Sequence, residues 1–102
     1  MGAPTAMTAD ELWTSARNES PPPGLDVCLH ALWLDAHGDW NAAHELIDDV
    51  EAADAAWVHA YLHRKEGDAS NAAYWYGCAR RPRFTGELAD EWRAIAEELL
   101  KR

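Results

Sequence analysis

Apolar and polar positions along this chain follow helical rather than alternating order. Residues 25–37 are apolar nearly all round, through Val27, Cys28, Leu29, Ala31, Leu32, Trp33 and Leu34. That pattern predicts the central buried helix of the domain. Trp40, Ala43, Ile47 and Val50 then recur at spacings of three and four, a stripe that faces a core. Residues 54–66 form the next helix. The segment after it, to about residue 80, carries Ala72, Tyr76 and Ala79 on one side, with Trp75 and Cys78 beside them. Near the end, Leu88, Trp92, Ile95 and Leu99 share one face, opposite Glu87, Asp90, Glu91, Arg93, Glu97 and Glu98. No segment reads as a strand. Together with a short helix whose apolar side is Leu12, Trp13 and Ala16, the pattern predicts six helices and an all-α fold.

Local punctuation agrees with this division. Thr8-Ala9-Asp10-Glu11 reads as a capping box, in which the threonine and the glutamate satisfy each other's backbone donors. The run NESPPPG over 18–24 breaks the helical pattern, because its three prolines remove donors and hold an extended path. Gly38 and Gly67 end helices, Asp39 and Asp68 are placed to cap the next ones, Pro82 closes another, and Thr85 is placed to cap the last. The expected organisation is a single domain: N-terminal helix 8–17, connector 18–24, first hairpin 25–52, second hairpin 54–82 and terminal helix 86–101.

The two hairpins echo each other. His30-Ala31 recurs at His59-Ala60 and Gly38-Asp39 at Gly67-Asp68, each 29 residues on, and Asn41-Ala42-Ala43 returns as Asn71-Ala72-Ala73. Units of this kind bury a core only by stacking. Ala31, Gly38, Asp39, Ala43, Ile47 and Val50 in the first copy, and Ala60, Gly67, Asp68, Ala72, Tyr76 and Ala79 in the second, resemble the pattern of tetratricopeptide and Sel1-like repeats. The resemblance covers roughly residues 25–82. It departs from that pattern in its shorter period, in Val50 where an alanine is usual, and in His30 and His59 where leucine is usual. It implies an array of two antiparallel hairpins closed by a capping helix, with the first helices of each hairpin lining a concave, peptide-holding side. The strings HALWLDAHGDW, WVHAYLHRKEGD and NAAYWY also look like a small bacterial family with no assigned activity, which adds nothing to function.

Composition narrows the function classes. The chain has 102 residues, 48% of them hydrophobic, with six tryptophans and a net charge of −9. Such a surface does not neutralise phosphates, so no general nucleic-acid affinity is expected. The charge is uneven: residues 18–63 hold nine acids and all five histidines but no Lys or Arg, and eight of the nine basic residues lie from Arg64 onward. There is no apolar run of membrane-spanning length, and residues 1–20 lack a secretory pattern. Met1-Gly2 begins like a myristoylation site, but Ala6 stands where Ser or Thr is wanted. Cys28 and Cys78 form no CxxC and read as two reduced thiols, so the cytoplasm is the expected compartment.

Two constellations carry candidate chemistry. Trp57, Tyr61 and Arg64 lie at i, i+4 and i+7, an aromatic pair leading to a cation. With Lys65, and with Cys28, Leu32 and Asp35 from the first hairpin, they would line a groove suited to an acidic or carboxylate-terminated peptide. Set against this, the two aromatics would simply pack under the N-terminal helix. The second constellation is imidazole. Asp26, His30, Trp33 and His37 form one stripe, and His59, His63 and Glu66 the corresponding one. If the stripes converge, His30, His37, His59 and His63 with Glu66 would suit Zn²⁺, Fe²⁺ or Ni²⁺. A structural role for such histidines, bonded to carboxylates or carbonyls, carries more weight, and pH sensing is a third role. His44 also lies on the apolar side of its helix, between Trp40 and Ile47.

Arg80, Arg81 and Arg83 make a local cation cluster, more readily paired with Glu87 or Asp90 than with phosphate. Catalysis has little support, since there is no Ser/His/Asp order, phosphate loop or HExxH. The expectation is therefore a small interaction module whose protein or peptide partner is held in the groove, with no nucleic acid and no membrane. The alternative is a His/carboxylate metal protein, with an enzymatic role left open. Self-association through exposed tryptophan is a third reading.

Overall fold

The computed structural model describes residues 7–102, and all of their regular structure is helical. Residues 1–6, which include the myristoylation-like start, lie outside the described residues. Six helices follow in chain order: α1 (Ala9–Ser15), α2 (Val27–His37), α3 (Trp40–Ile47), α4 (Ala53–Lys65), α5 (Ala69–Ala79) and α6 (Leu88–Leu100). The capping box at Thr8 is present. Glu11 N–H donates to Thr8 Oγ1 at 3.1 Å, and Thr8 N–H donates to Glu11 Oε1 at 2.9 Å.

The Gly-Asp turns work as their chemistry requires. Gly38 and Gly67 adopt φ of +101° and +90°, which a side chain disfavours. Beyond them the chain doubles back, so that Asp39 N–H reaches Leu34 O and Asp68 N–H reaches His63 O, both at 2.9 Å. Each aspartate then caps the following helix, Asp39 through Ala42 N–H and Asp68 through Asn71 N–H. At the end of α5 it is Arg80, not glycine, that takes the left-handed conformation.

Helix α2 packs chiefly on α3 and α4 on α5, while α2 and α3 both lie against α4. Three expectations need correction. Helix α3 stops at Ile47, so Val50 sits half-buried in the turn beyond it, with its N–H bonded to Ile47 O. Thr85 does not cap α6, which starts after Glu87 with no side-chain cap. Helix α2 is not alone at the centre: α4 is buried continuously from Ala55 to His63. Its polar residues hid this in the sequence, because they go inside together with their partners.

The last helix decides what the domain exposes. Helix α6 lies against α1, α2 and α4. Its Trp92 is 1% exposed and donates its indole N–H to Leu32 O at 2.9 Å. Two buried carboxylates pin the same region. Asp35 accepts from Tyr61 O–H at 2.7 Å and from Lys65 Nζ at 2.9 Å. Glu91, which has no exposed surface, accepts from Arg64 at 2.9 Å and from the Tyr76 hydroxyl. A buried charge is tolerable only when so partnered. Glu91→Ala leaves the half-buried Arg64 without its carboxylate and the Tyr76 hydroxyl without its acceptor, and is expected to cost about 3–5 kcal/mol in denaturant unfolding. Arg93→Ala, on the exposed side of α6, is expected to leave the midpoint nearly unchanged.

Candidate metal centre

The residues expected to line a groove between α2 and α4 are packed, not open. Leu32 is fully buried, and Asp35 and Tyr61 are each 2% exposed. Lys65 is tied to Asp35, and Arg64 is tied to Glu91 and to Gly86 O. Trp57 is buried beneath Arg81, whose guanidinium carbon stands 3.6 Å from the ring centroid. Of the proposed peptide contacts, Tyr61, Lys65 and Asp35 are thus partners of one another, Arg64 and Leu32 are partners of α6, and Trp57 is covered by Arg81; Cys28 is buried. Burial, with Asp35 next to it, pushes the Tyr61 hydroxyl well above its ordinary pKa. Arg81 covers Trp57 instead of pairing with Glu87 or Asp90. Of the tryptophans, Trp13 alone is exposed, and it meets Trp92 edge-on at 4.9 Å.

The histidines divide differently from their stripes. His37 turns toward α1, with Nδ1 2.7 Å from Ala16 O and its ring stacked on Trp33 at 4.6 Å. His30 stays half-buried on α2. Neither belongs to a group of three potential metal ligands among the described residues. The His30 and His59 stripes thus do not come together in one ligand set. His44 does face α4, because α3 packs on α4 with its inner stripe.

His44, His59 and His63 offer ligand atoms that all lie within 4.8 Å of one another. His44 Nε2 and His59 Nε2 are 2.9 Å apart, so one ring donates its proton to the other. Nitrogens sharing a tetrahedral ion at ~2.0–2.1 Å would stand roughly 3.3 Å apart, close to this spacing. Asp48, one helical turn beyond His44, places Oδ1 3.8 Å from His59 Nε2 and 4.0 Å from His44 Nε2. Glu66 Oε1 lies 3.2 Å from His63 Nδ1. Aromatic rings hold the cluster in place. Trp40 stacks on His44 at 5.0 Å, Trp75 on His59 at 3.9 Å, and His63 on His59 at 4.8 Å. Trp40 is itself anchored by its N–H to Leu62 O at 2.8 Å.

Of the residues named from sequence, His59, His63 and Glu66 come together. His44, noted from sequence only for lying on the apolar side of its helix, joins them, and Asp48 is an addition. The signal for both was present in the spacing Trp40, His44, Asp48, four residues apiece on one helix face. It lacked only the knowledge that this face meets α4. A surface cavity of about 480 Å³ adjoins the cluster, sharing Asp48 and Trp75 with it and bounded also by Asp49, Glu51 and Cys78.

Burial is the main cause that lowers the His59 pKa to about 4 from 6.5, helped by the neighbouring His44 and His63 and opposed by Asp48. Cys28 moves the other way, pushed up to about 11 by burial and by Asp26 and Asp54. Compared with known proteins, the chain matches no family model, no curated protein and no solved structure.

Two measurements check this electrostatic picture. Between pH 6.5 and 4 the unfolded chain protonates His59 while the folded chain keeps it neutral. The contribution is therefore complete above 6.5 and lost as pH falls. Unfolding free energy should drop by about 2 kcal/mol more from pH 7.5 to 5 in the wild type than in His59→Gln; equal slopes would contradict a neutral buried ring. In a thiol-labelling assay at pH 8, exposed Cys78 should react at once and Cys28 only on unfolding.

Proposed function

We propose that this protein binds one divalent transition-metal ion through His44, His59 and His63, with Asp48 supplying a carboxylate. The observation that carries the reading is the convergence of three imidazoles from two helices within 4.8 Å. Their chemistry supports it. Neutral imidazole is the binding form, and the depressed pKa of His59 keeps its ring neutral at any physiological pH. Imidazoles with one carboxylate suit Zn²⁺, Fe²⁺ or Ni²⁺. Glu66 stands where a carboxylate orients a liganding histidine through its second nitrogen. The two tryptophans that stack on His44 and His59 hold those rings without supplying competing ligands.

The reading favours metal over peptide because the groove residues are already committed to each other, whereas the imidazoles meet chiefly one another. No helix among the described residues is long and apolar enough to cross a membrane. Unpaired Cys28 and Cys78 fit the reducing cytoplasm expected from the sequence.

The test is elemental analysis and calorimetric titration with Zn²⁺, Ni²⁺ and Co²⁺ on tag-free protein. One tightly held ion per chain is expected, lost or weakened at least tenfold in His44→Gln and His59→Gln but retained in His30→Gln and His37→Gln. Ligand at about a hundredfold over Kd should stabilise the fold by about 2.7 kcal/mol. Failure of wild-type protein to take up metal, or equal uptake by His59→Gln, would sink the reading.

A further inference from the structure

The chain between α5 and α6 turns back over α4. Arg80 takes the left-handed conformation that ends α5, and Arg81 N–H then bonds Tyr76 O. From there the segment follows the stripe of Trp57, Tyr61 and Arg64, with Arg81 on the Trp57 ring and Gly86 O at the Arg64 guanidinium. The stripe read from sequence as a peptide contact is thus covered at both ends by the chain's own residues 81–86. This cover brings a second guanidinium beside Arg64. Arg64 and Arg83, with Tyr76, Phe84 and the alanines 69 and 72 of α5, enclose a niche of about 120 Å³.

Charge and size indicate what the niche takes. Arg64 has one carboxylate partner, Glu91, and its other bond goes to the carbonyl of Gly86. A guanidinium has five N–H donors, so most of its capacity remains. Arg80, Arg81 and Arg83 form no ion pair among the described residues. Uncompensated cations therefore gather at one place in a chain whose net charge is −9. Sites that enclose whole metabolites run to about 300–1,000 Å³, so this niche has room for one charged group only. A phosphate monoester brings close to two negative charges and three acceptor oxygens, which guanidinium forks match in pairs. A carboxylate brings one charge and two oxygens, fewer than two guanidiniums can use.

We infer that the niche binds one phosphate group, free or as the terminal group of a small monoester, between the guanidiniums of Arg64 and Arg83. Arg83 supplies a fork with no carboxylate partner, and Arg64 the donors left over from Glu91 and Gly86. Arg80 and Arg81 add a local positive field against the acidic remainder of the surface. Phe84, whose ring centroid is 5.6 Å from the Arg64 guanidinium, gives the niche an apolar wall, beside which a charge-assisted bond is stronger than in open water. None of these residues belongs to the histidine cluster, so the inference stands apart from the metal reading.

The experiment is a magnetic-resonance titration of tag-free, chelator-treated protein labelled with nitrogen-15, following the arginine Nε–H signals at constant ionic strength. The probes are inorganic phosphate, methyl phosphate and acetate. Saturable shifts of the Arg64 and Arg83 signals are expected with both phosphates, at about tenfold higher affinity than with acetate. Arg83→Gln should weaken phosphate binding about tenfold, and because Arg83 is exposed this variant keeps the fold. Arg93→Gln removes the same charge from the exposed side of α6 and should stay within about twofold of wild type. Saturation by inorganic phosphate but not by methyl phosphate would support the niche and confine its ligand to the free ion. Shifts that never saturate, acetate binding as tightly as phosphate, or unchanged affinity in Arg83→Gln would each overturn the inference.

Discussion

Helix α4 can be buried only if every polar side chain it carries inward finds a partner, and that requirement organises the rest of the domain. Tyr61 and Lys65 share Asp35 of α2, Arg64 takes Glu91 of α6, and Leu62 O receives the indole proton of Trp40. Each contact removes a desolvation penalty that an apolar core never incurs, and each is directional where apolar contact is not. The neighbours of α4 are thereby held in register as well as in contact. Alanines at 55, 56 and 60 let these neighbours approach closely.

The same arrangement decides which surface is left for chemistry. Helix α6 lies against α2 and α4, where Glu91 takes up Arg64, while Asp35 of α2 holds Tyr61 and Lys65 and Arg81 covers Trp57. The opposite flank of α4 meets α3 and α5, and there the buried polar residues are imidazoles. Carboxylates on the first flank neutralise cations permanently. On the second flank the rings pack edge and face against one another and against Trp40 and Trp75. One flank is a closed set of ion pairs; the other is a donor set.

A metal in that donor set would have structural consequences. Helix α3 has only eight residues, and it is followed at once by the acidic turn Asp48-Asp49-Val50-Glu51. An ion joining His44 to His59 and His63 would staple this short helix to the most buried element of the fold, so binding and folding would be linked. It would also draw Asp48 inward from the rim of the adjacent cavity.

A large part of the architecture was legible in the chain. Helical spacing, the Thr8 capping box, the paired Gly-Asp turns and the Pro-rich break are local signals, set by backbone geometry within a few residues, and the helices stand where those signals put them. The candidate site was legible only in part, because residue spacing tells which side chains share a face and says nothing of what that face meets. His59, His63 and Glu66 were visible as one stripe. Their companions in the structure, His44 and Asp48, came from α3 and the turn after it and not from the stripe on α2, because α3 packs on α4 with that face. The packing of α6 against α2 and α4 was likewise a tertiary outcome, dependent on a buried glutamate whose sequence position looked solvated. Local chemistry determined the helices and their turns; only the packing of those helices, by choosing which polar groups would be desolvated together, decided where a ligand has room to bind.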